Sequence, residues 1–218
     1  MSKLVGKVLL EGTRLTHKTD LAFALNEHPR FVGPRRYRYH SPVVSGEWCG
    51  FTNHPWGRGL VNYDPATEHD LAMATYRTWA DLFGHLRYYT WIVDRFHVST
   101  RCWQKLHHGR DVDFAWLEDR LGPLGFRIVL CVRREETFAA AREERLKVSG
   151  NPSQYDDLDV FLREQDLLRE LVNRSSLLAM ELDISDDDVA AAADRLVDWY
   201  AVTGGLTRPD TRHPEVGA

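Results

Sequence analysis

The chain of 218 residues is 43% apolar and 28% charged, and its 28 Lys and Arg against 32 Asp and Glu leave a formal charge of −4. A chain of that size buries about 70% of its unfolded surface without disulfide or metal staples, so one soluble globular domain is expected. The acidic balance excludes broad binding to nucleic-acid polymers or membrane surfaces, and no apolar run approaches the roughly 20 residues of a membrane span. Cys49, Cys102 and Cys131 are widely separated. They form no metal pair and suggest a reducing compartment; Met1–Lys7 has no leader pattern, so a cytoplasmic location is expected.

Val8, Leu9 and Leu10 make a run long enough for a buried strand. Gly12-Thr13-Arg14-Leu15-Thr16-His17-Lys18-Thr19 follows, and then Leu21, Ala22 and Leu25 recur at helical spacing. Strand, turn and helix within about 20 residues is the setting of a phosphate-binding loop. Backbone N–H groups of such a turn point inward, and the new helix brings its positive end to the same spot. Lys18 can neutralise β- and γ-phosphate charge, and the Thr19 hydroxyl can hold Mg²⁺. The usual pattern is G-x-x-x-x-G-K-[ST], and here His17 replaces the second glycine. A side chain there crowds the closest approach of backbone to phosphate. The alternative is an ordinary strand–loop–helix with a solvated Lys18.

Glu27-His28-Pro29-Arg30 ends this helix, and Phe31-Val32-Gly33 is predicted to begin a second strand. Pro34–Pro42 carries Arg35, Arg36, Arg38 and His40, either a solvated edge or an anion site. Val43–Pro65 has loop composition with Trp48, Phe51, Trp56 and Tyr63. These aromatics fold back onto the core, or else form a lid, a base-stacking wall or a subunit contact. Ala66–Leu86 reads as an amphipathic helix and a candidate homodimer face. Tyr88–Val93 reads as a buried strand that runs into Asp94-Arg95-Phe96-His97. A charged pair at the carboxyl end of a central strand sits where open α/β sheets bind ligands; otherwise Asp94 only caps the next helix.

Val98–His108 and Val112–Leu121 are predicted helices, and Phe126–Val132 is the most continuous strand signal. A helix over Arg133–Lys147 places Arg142 and Arg145 on one face. That face is a salt-bridged surface, or a lid together with the loop Val148–Asp157. Leu158–Leu178 is a long helix, Met180–Ile184 a last strand, and Ser185-Asp186-Asp187-Asp188 caps a helix through Tyr200. The polar segment 204–218 is expected to be a flexible tail. Strands at about 7–10, 30–33, 89–93, 126–132 and 180–184, alternating with helices, predict an α/β fold with a parallel sheet covered on both faces.

Taken together, the chain resembles the P-loop nucleoside and nucleotide kinases of the thymidylate-kinase and deoxynucleoside-kinase group. Leu10-Glu11-Gly12 with Lys18-Thr19 is similar to the group's E-G…G-K-[ST] opening, here a degenerate Walker A loop. Asp94-Arg95-Phe96 is similar to its D-R-[YF] element after strand three, and Arg142 with Arg145 to its basic lid. The resemblance implies a three-layer P-loop fold in one domain over 1–203, with a five-stranded parallel sheet and a helical lid at about 133–157. It implies ATP, Mg²⁺ and phosphoryl transfer to a small-molecule acceptor. Gly12 through Thr19 would cradle the triphosphate, Thr19 and Asp94 would hold the metal, and Arg95 would meet the acceptor. Arg142 and Arg145 would steady the γ-phosphoryl charge, and Arg36, Arg38 and Trp48 would contact the acceptor.

Deoxynucleoside kinases carry a glutamate after strand two that takes the proton of an acceptor hydroxyl. With strand two at 30–33, the next segment offers arginines and no carboxylate before Glu47. A phosphate acceptor needs no base, so the expectation tilts toward an acceptor already bearing phosphate, with Asp94 the base if it is a hydroxyl. The expected function is therefore an ATP-dependent kinase of a nucleotide, nucleoside or related small metabolite. The alternatives are a P-loop protein that binds nucleotide in a regulatory or scaffold role without kinase activity, and another group transfer such as sulfuryl transfer.

Overall fold

The computed structural model describes residues 3–47 and 58–207. Five parallel strands form one sheet in the order β2-β3-β1-β4-β5. They are β1 (Lys7–Glu11), β2 (Val43–Ser45), β3 (Trp91–Asp94), β4 (Phe126–Val132) and β5 (Ala179–Asp183). β1 is buried on both faces, as its unbroken apolar run requires in the middle of a covered sheet. Alternate side chains feed two cores. Val8, Leu10, Ile92, Val129 and Leu182 pack under α1 (Lys18–Glu27) and α8 (Val189–Val202). Leu9, Val93, Ile128 and Leu130 pack on the other face, under α3 (His69–His85), α4 (His97–His108), α5 (Ala115–Leu121) and α7 (Leu158–Asn173). Each fully buried Leu, Ile or Val in these layers contributes about 2 kcal/mol.

Four of the five expected strands fall where periodicity places them; the second does not. Pro29–Val32 is a single helical turn, α2, with Pro29 at its first position and the His28 ring accepting from the Arg30 N–H at 3.3 Å. Phe31 and Val32 are buried from that turn, which is why their apolar character mimics a strand. The real second strand is Val43–Ser45, seated on β3 with Ser45 level with Asp94. Arg35–His40 forms a 3₁₀ helix before it. Leu10 is level with both Asp94 and Val129, so the segments leaving β1, β2, β3 and β4 emerge at one edge.

The expected lid resolves into α6 (Phe138–Leu146) and a 3₁₀ turn over Pro152–Tyr155. Residues 204–207, where the tail was expected to begin, are tied down: Gly205 N–H donates to the Tyr200 carbonyl at 2.7 Å, and Thr207 pairs with Val5. Among the described residues no helix is long and apolar enough to cross a membrane.

Candidate functional site

The turn between β1 and α1 opens on Gly12 at φ 145°, where an added Cβ would meet the Cys131 carbonyl oxygen at 2.5 Å. Only glycine lets β4 pass so closely. Leu15 and His17 both have left-handed backbones, at φ 67° and 48°. Left-handed residues in a tight turn are how a chain aims successive N–H groups at one anion. His17 thus adopts the conformation a glycine would supply, at a strain of about 1 kcal/mol. Its ring is tied to Asp20 through Nδ1 and to Asp187 through Nε2, both at 2.9 Å.

Lys18, the first residue of α1, is 7% exposed. Its ammonium donates to the Thr13 carbonyl at 2.5 Å and to Thr16 Oγ1 at 3.3 Å, curling back into the turn. Burial, helped by Arg95, lowers its pKa to about 8, against the pull of Asp94. The next residue, Thr19, donates its hydroxyl to Asp94 Oδ2 at 2.6 Å. Asp94 Oδ1 is buried and has no hydrogen-bond partner among the described residues. A hydroxyl beside a carboxylate with one free oxygen suits Mg²⁺, which takes one or two carboxylates and completes its shell with substrate phosphates. No group of three or more His, Cys, Asp or Glu that could hold a metal alone exists among the described residues. The residues present fit a metal that arrives with a polyphosphate.

Arg95 also has a left-handed backbone, φ 60°, and its guanidinium is buried. Burial opposes its charge, but Glu164, Glu47 and Asp94 hold it above the usual arginine value. Its Nε lies 3.6 Å from Glu47 and its Nη1 3.4 Å from Glu164. Gly46 makes this approach feasible, because a Cβ there would sit 2.2 Å from the Arg95 carbonyl oxygen. Glu47 therefore stands two residues past β2, beside the Asp94-Arg95 pair. Beneath them, Glu11 is fully buried and accepts from the Phe96 and Ser99 N–H groups at 3.1 Å. Those are orphan donors at the start of α4, so Glu11 caps that helix and locks it to β1.

An open cavity of about 650 Å³ collects these groups, bordered by 14–20, Glu47, Asp94, Arg95, Asp187 and the lid residues Ala141, Glu144, Arg145 and 148–150. Arg145 faces it, with its Nε 3.1 Å from the Tyr155 hydroxyl. Arg142 does not border it: it donates to the Tyr155 carbonyl at 2.7 Å and lies 3.6 Å from Glu143. Arg14 reaches Gln154 at 3.1 Å, joining the turn to the lid. Arg36 and Arg38 are elsewhere. Arg38 is held by Asn26 at 3.3 Å and Glu27 at 2.6 Å, at the far end of α1, and Arg36 lies over the Tyr37 ring. They precede β2 and so lie at the opposite edge of the sheet. Trp48 lies outside the described residues.

Three further residues brace the site. Glu164 of α7 accepts from the Thr13 hydroxyl and from Arg95 Nη1. Arg133, fully buried just past β4, donates from Nε to the Leu15 carbonyl at 2.9 Å and from Nη2 to Asp187. Gln165 in turn holds the Arg133 backbone, accepting its N–H at 2.8 Å and donating to its carbonyl at 2.9 Å. Glu47 becomes legible once strand two is placed at Val43–Ser45. Arg133 has a weak signal, a charge at the exit of the longest apolar strand. Glu164 has none: it meets Thr13 across 151 positions of sequence.

This arrangement of turn, sheet and lid is the fold of the P-loop kinases. The solved structure of the YorR protein from Bacillus subtilis, in complex with phosphorylated GDP, superposes with a TM-score of 0.61 at 15% identity, covering 91% of this chain and 97% of its own. Thymidylate kinase from Candida albicans gives 0.60 at 15% identity, over 96% of this chain and 98% of its own. Thymidylate kinase from Ehrlichia chaffeensis gives 0.55 at 13% identity, over 89% and 98%. No family model matches the chain, and no curated protein matches it either.

Proposed function

We propose that the protein is an ATP-dependent kinase that phosphorylates a hydroxyl group of a nucleoside or similar small polar metabolite. One observation carries the reading: the turn lysine, the Thr19–Asp94 pair, Arg95 and Glu47 converge on one cavity. The β4–β5 side of the turn, with Arg14, Arg145 and the lid, suits the donor triphosphate; the β2–β3 side, with Glu47, Asp94 and Arg95, suits the acceptor. On that side Glu47 and the nearby Glu164 outnumber the single Arg95, Asp94 being matched by the metal it would hold, and the following segment 48–57 contains no Lys or Arg. A doubly charged phosphate acceptor would meet net repulsion there, while a hydroxyl would meet a base. The corrected position of strand two thus reverses the tilt toward a phosphorylated acceptor.

In the reaction, Lys18 exchanges the Thr13 carbonyl for the donor's phosphate oxygens. The acceptor oxygen attacks the γ-phosphorus, its proton passes to the Glu47 carboxylate, and the bond to the bridging oxygen breaks to release ADP. Thr19 and Asp94 would hold Mg²⁺, which would supply neutralisation of phosphate charge. Arg95 orients the acceptor, and Arg145 faces the transferred group. Positioning and charge neutralisation are what phosphoryl transfer chiefly requires. The thymidylate kinases that share the fold are named for a nucleotide, so the likeness favours a nucleoside moiety in the acceptor, while Glu47 favours a hydroxyl over a phosphate as its reacting group.

The test is ADP release from Mg·ATP over a panel of nucleosides, their monophosphates and sugars, with Glu47→Gln beside the parent. Turnover with hydroxyl acceptors, cut about a hundredfold by Glu47→Gln, is expected. Turnover with monophosphates alone, or parent-like rates in the variant, would sink the acceptor assignment. A second reading, a nucleotide-binding regulator, draws on His17 in the turn and on the tie of Lys18 to Thr13. It wins if Mg·ATP binds and no acceptor elicits ADP.

A further inference from the structure

We infer that Glu164 is a positioning residue that sets the separation between the phosphate-binding turn and the acceptor-side arginine. The inference rests on the kinase reading above. One carboxylate oxygen accepts from the Thr13 hydroxyl and the other from Arg95 Nη1, at 3.4 Å. Thr13 is also the residue whose carbonyl holds the Lys18 ammonium at 2.5 Å. A displacement of Thr13 therefore moves the lysine, and a displacement of Arg95 moves the acceptor's contact; Glu164 is bonded to both.

Packing alone does not account for a carboxylate here. The Glu164 side chain is 14% exposed, and burying a charge is unfavourable unless its partners offset the lost hydration. Its neighbour Gln165 shows what bracing requires: a neutral amide that pairs with the backbone N–H and carbonyl of Arg133. Glu164 instead takes two side chains that belong to opposite halves of the reaction. It is also carried by α7, whose first residue, Leu158, is separated by two residues from the lid turn Pro152–Tyr155. A fixed separation between donor and acceptor groups is a large part of what phosphoryl transfer needs, and small misplacement is costly.

The full chain is compared as parent, Glu164→Gln, Thr13→Val and the double variant, by calorimetric titration with Mg·ATP, by kcat and KM over the acceptor panel, and by thermal melting. Glu164→Gln is expected to lower kcat at least about tenfold and to weaken Mg·ATP binding about fivefold, with the melting temperature unchanged. Because the two residues act through one bond, the double variant should be within about twofold of the worse single one. Parent-like kcat and affinity in Glu164→Gln overturn the inference, as does a loss that tracks a lowered melting temperature and adds to that of Thr13→Val. If the parent turns over no acceptor, the kinase reading fails on its own, and the titration still decides. Weakened Mg·ATP binding that does not add to that of Thr13→Val supports the role of Glu164, and unchanged binding rejects it.

Discussion

At the amino-terminal end of the sheet, Lys3 donates to Ser41 and Thr90 at 2.8 Å, and Lys7 donates to the Leu124 carbonyl at 2.9 Å. At the carboxyl end, Lys18 donates to the Thr13 carbonyl. Burial brings all three ammonium groups to a pKa of about 8. The difference lies in the backbone around them. Leu15, His17, Arg95 and Asp187 are the described non-glycine residues with positive φ, and all four border the cavity at the carboxyl end. Each such residue costs about 1 kcal/mol or more, and it persists only where the surroundings over-determine it. Here Gly12 against β4, Arg133 on Leu15 and His17 on Asp187 do so. Buried cations alone therefore do not mark a site in this fold; buried cations on strained backbone beside open space do.

The contrast is broken most directly by Lys18→Ala. Phosphoryl transfer should fall at least about a thousandfold while the protein melts near the parent temperature. Activity near that of the parent would erase the distinction between the two ends. Asp94→Asn should come next, with a loss of about a hundredfold in kcat and a raised Mg²⁺ requirement, read by titrating Mg²⁺ at fixed ATP. A pH series sharpens the comparison further. In the proposed reading the donor phosphate meets the charged lysine, and the Lys18 pKa is lowered to about 8. Mg·ATP affinity should therefore hold below pH 8 and fall above it, by at most about tenfold per pH unit. A flat profile to pH 9.5 would show that Lys18 carries none of the binding. The smallest effect belongs to the other edge: Arg36→Ala and Arg38→Ala should leave kcat/KM within about twofold and stability within about 1 kcal/mol. A larger kinetic loss would return these arginines to the acceptor site.

Much of this architecture could be read from residues alone. Long apolar strands such as Phe126–Val132 announce themselves, and the spacing of Gly12, Lys18 and Thr19 marks the turn because each has a separate physical task. Asp94 and Arg95 were legible from their place at the exit of a central strand. The second strand was not. Val43–Ser45 is three residues long, within a segment of loop composition, whereas Phe31 and Val32 advertise burial without revealing that Pro29 starts a helical turn. That single misplacement hid Glu47 and put Arg36 and Arg38 at the wrong end. Glu164 and Arg133 were illegible for a different reason: their partners lie far along the chain, and nothing local to α7 or to the β4 exit distinguishes a brace from a solvated charge.

His17 has a consequence for how such turns are found. The shape that receives phosphate is written in dihedral angles, and an imidazole tethered by Asp20 and Asp187 reproduces at that corner the angles usually left to a hydrogen atom in place of a side chain. A search that demands the missing glycine by name passes over this chain, whereas a search by backbone shape does not.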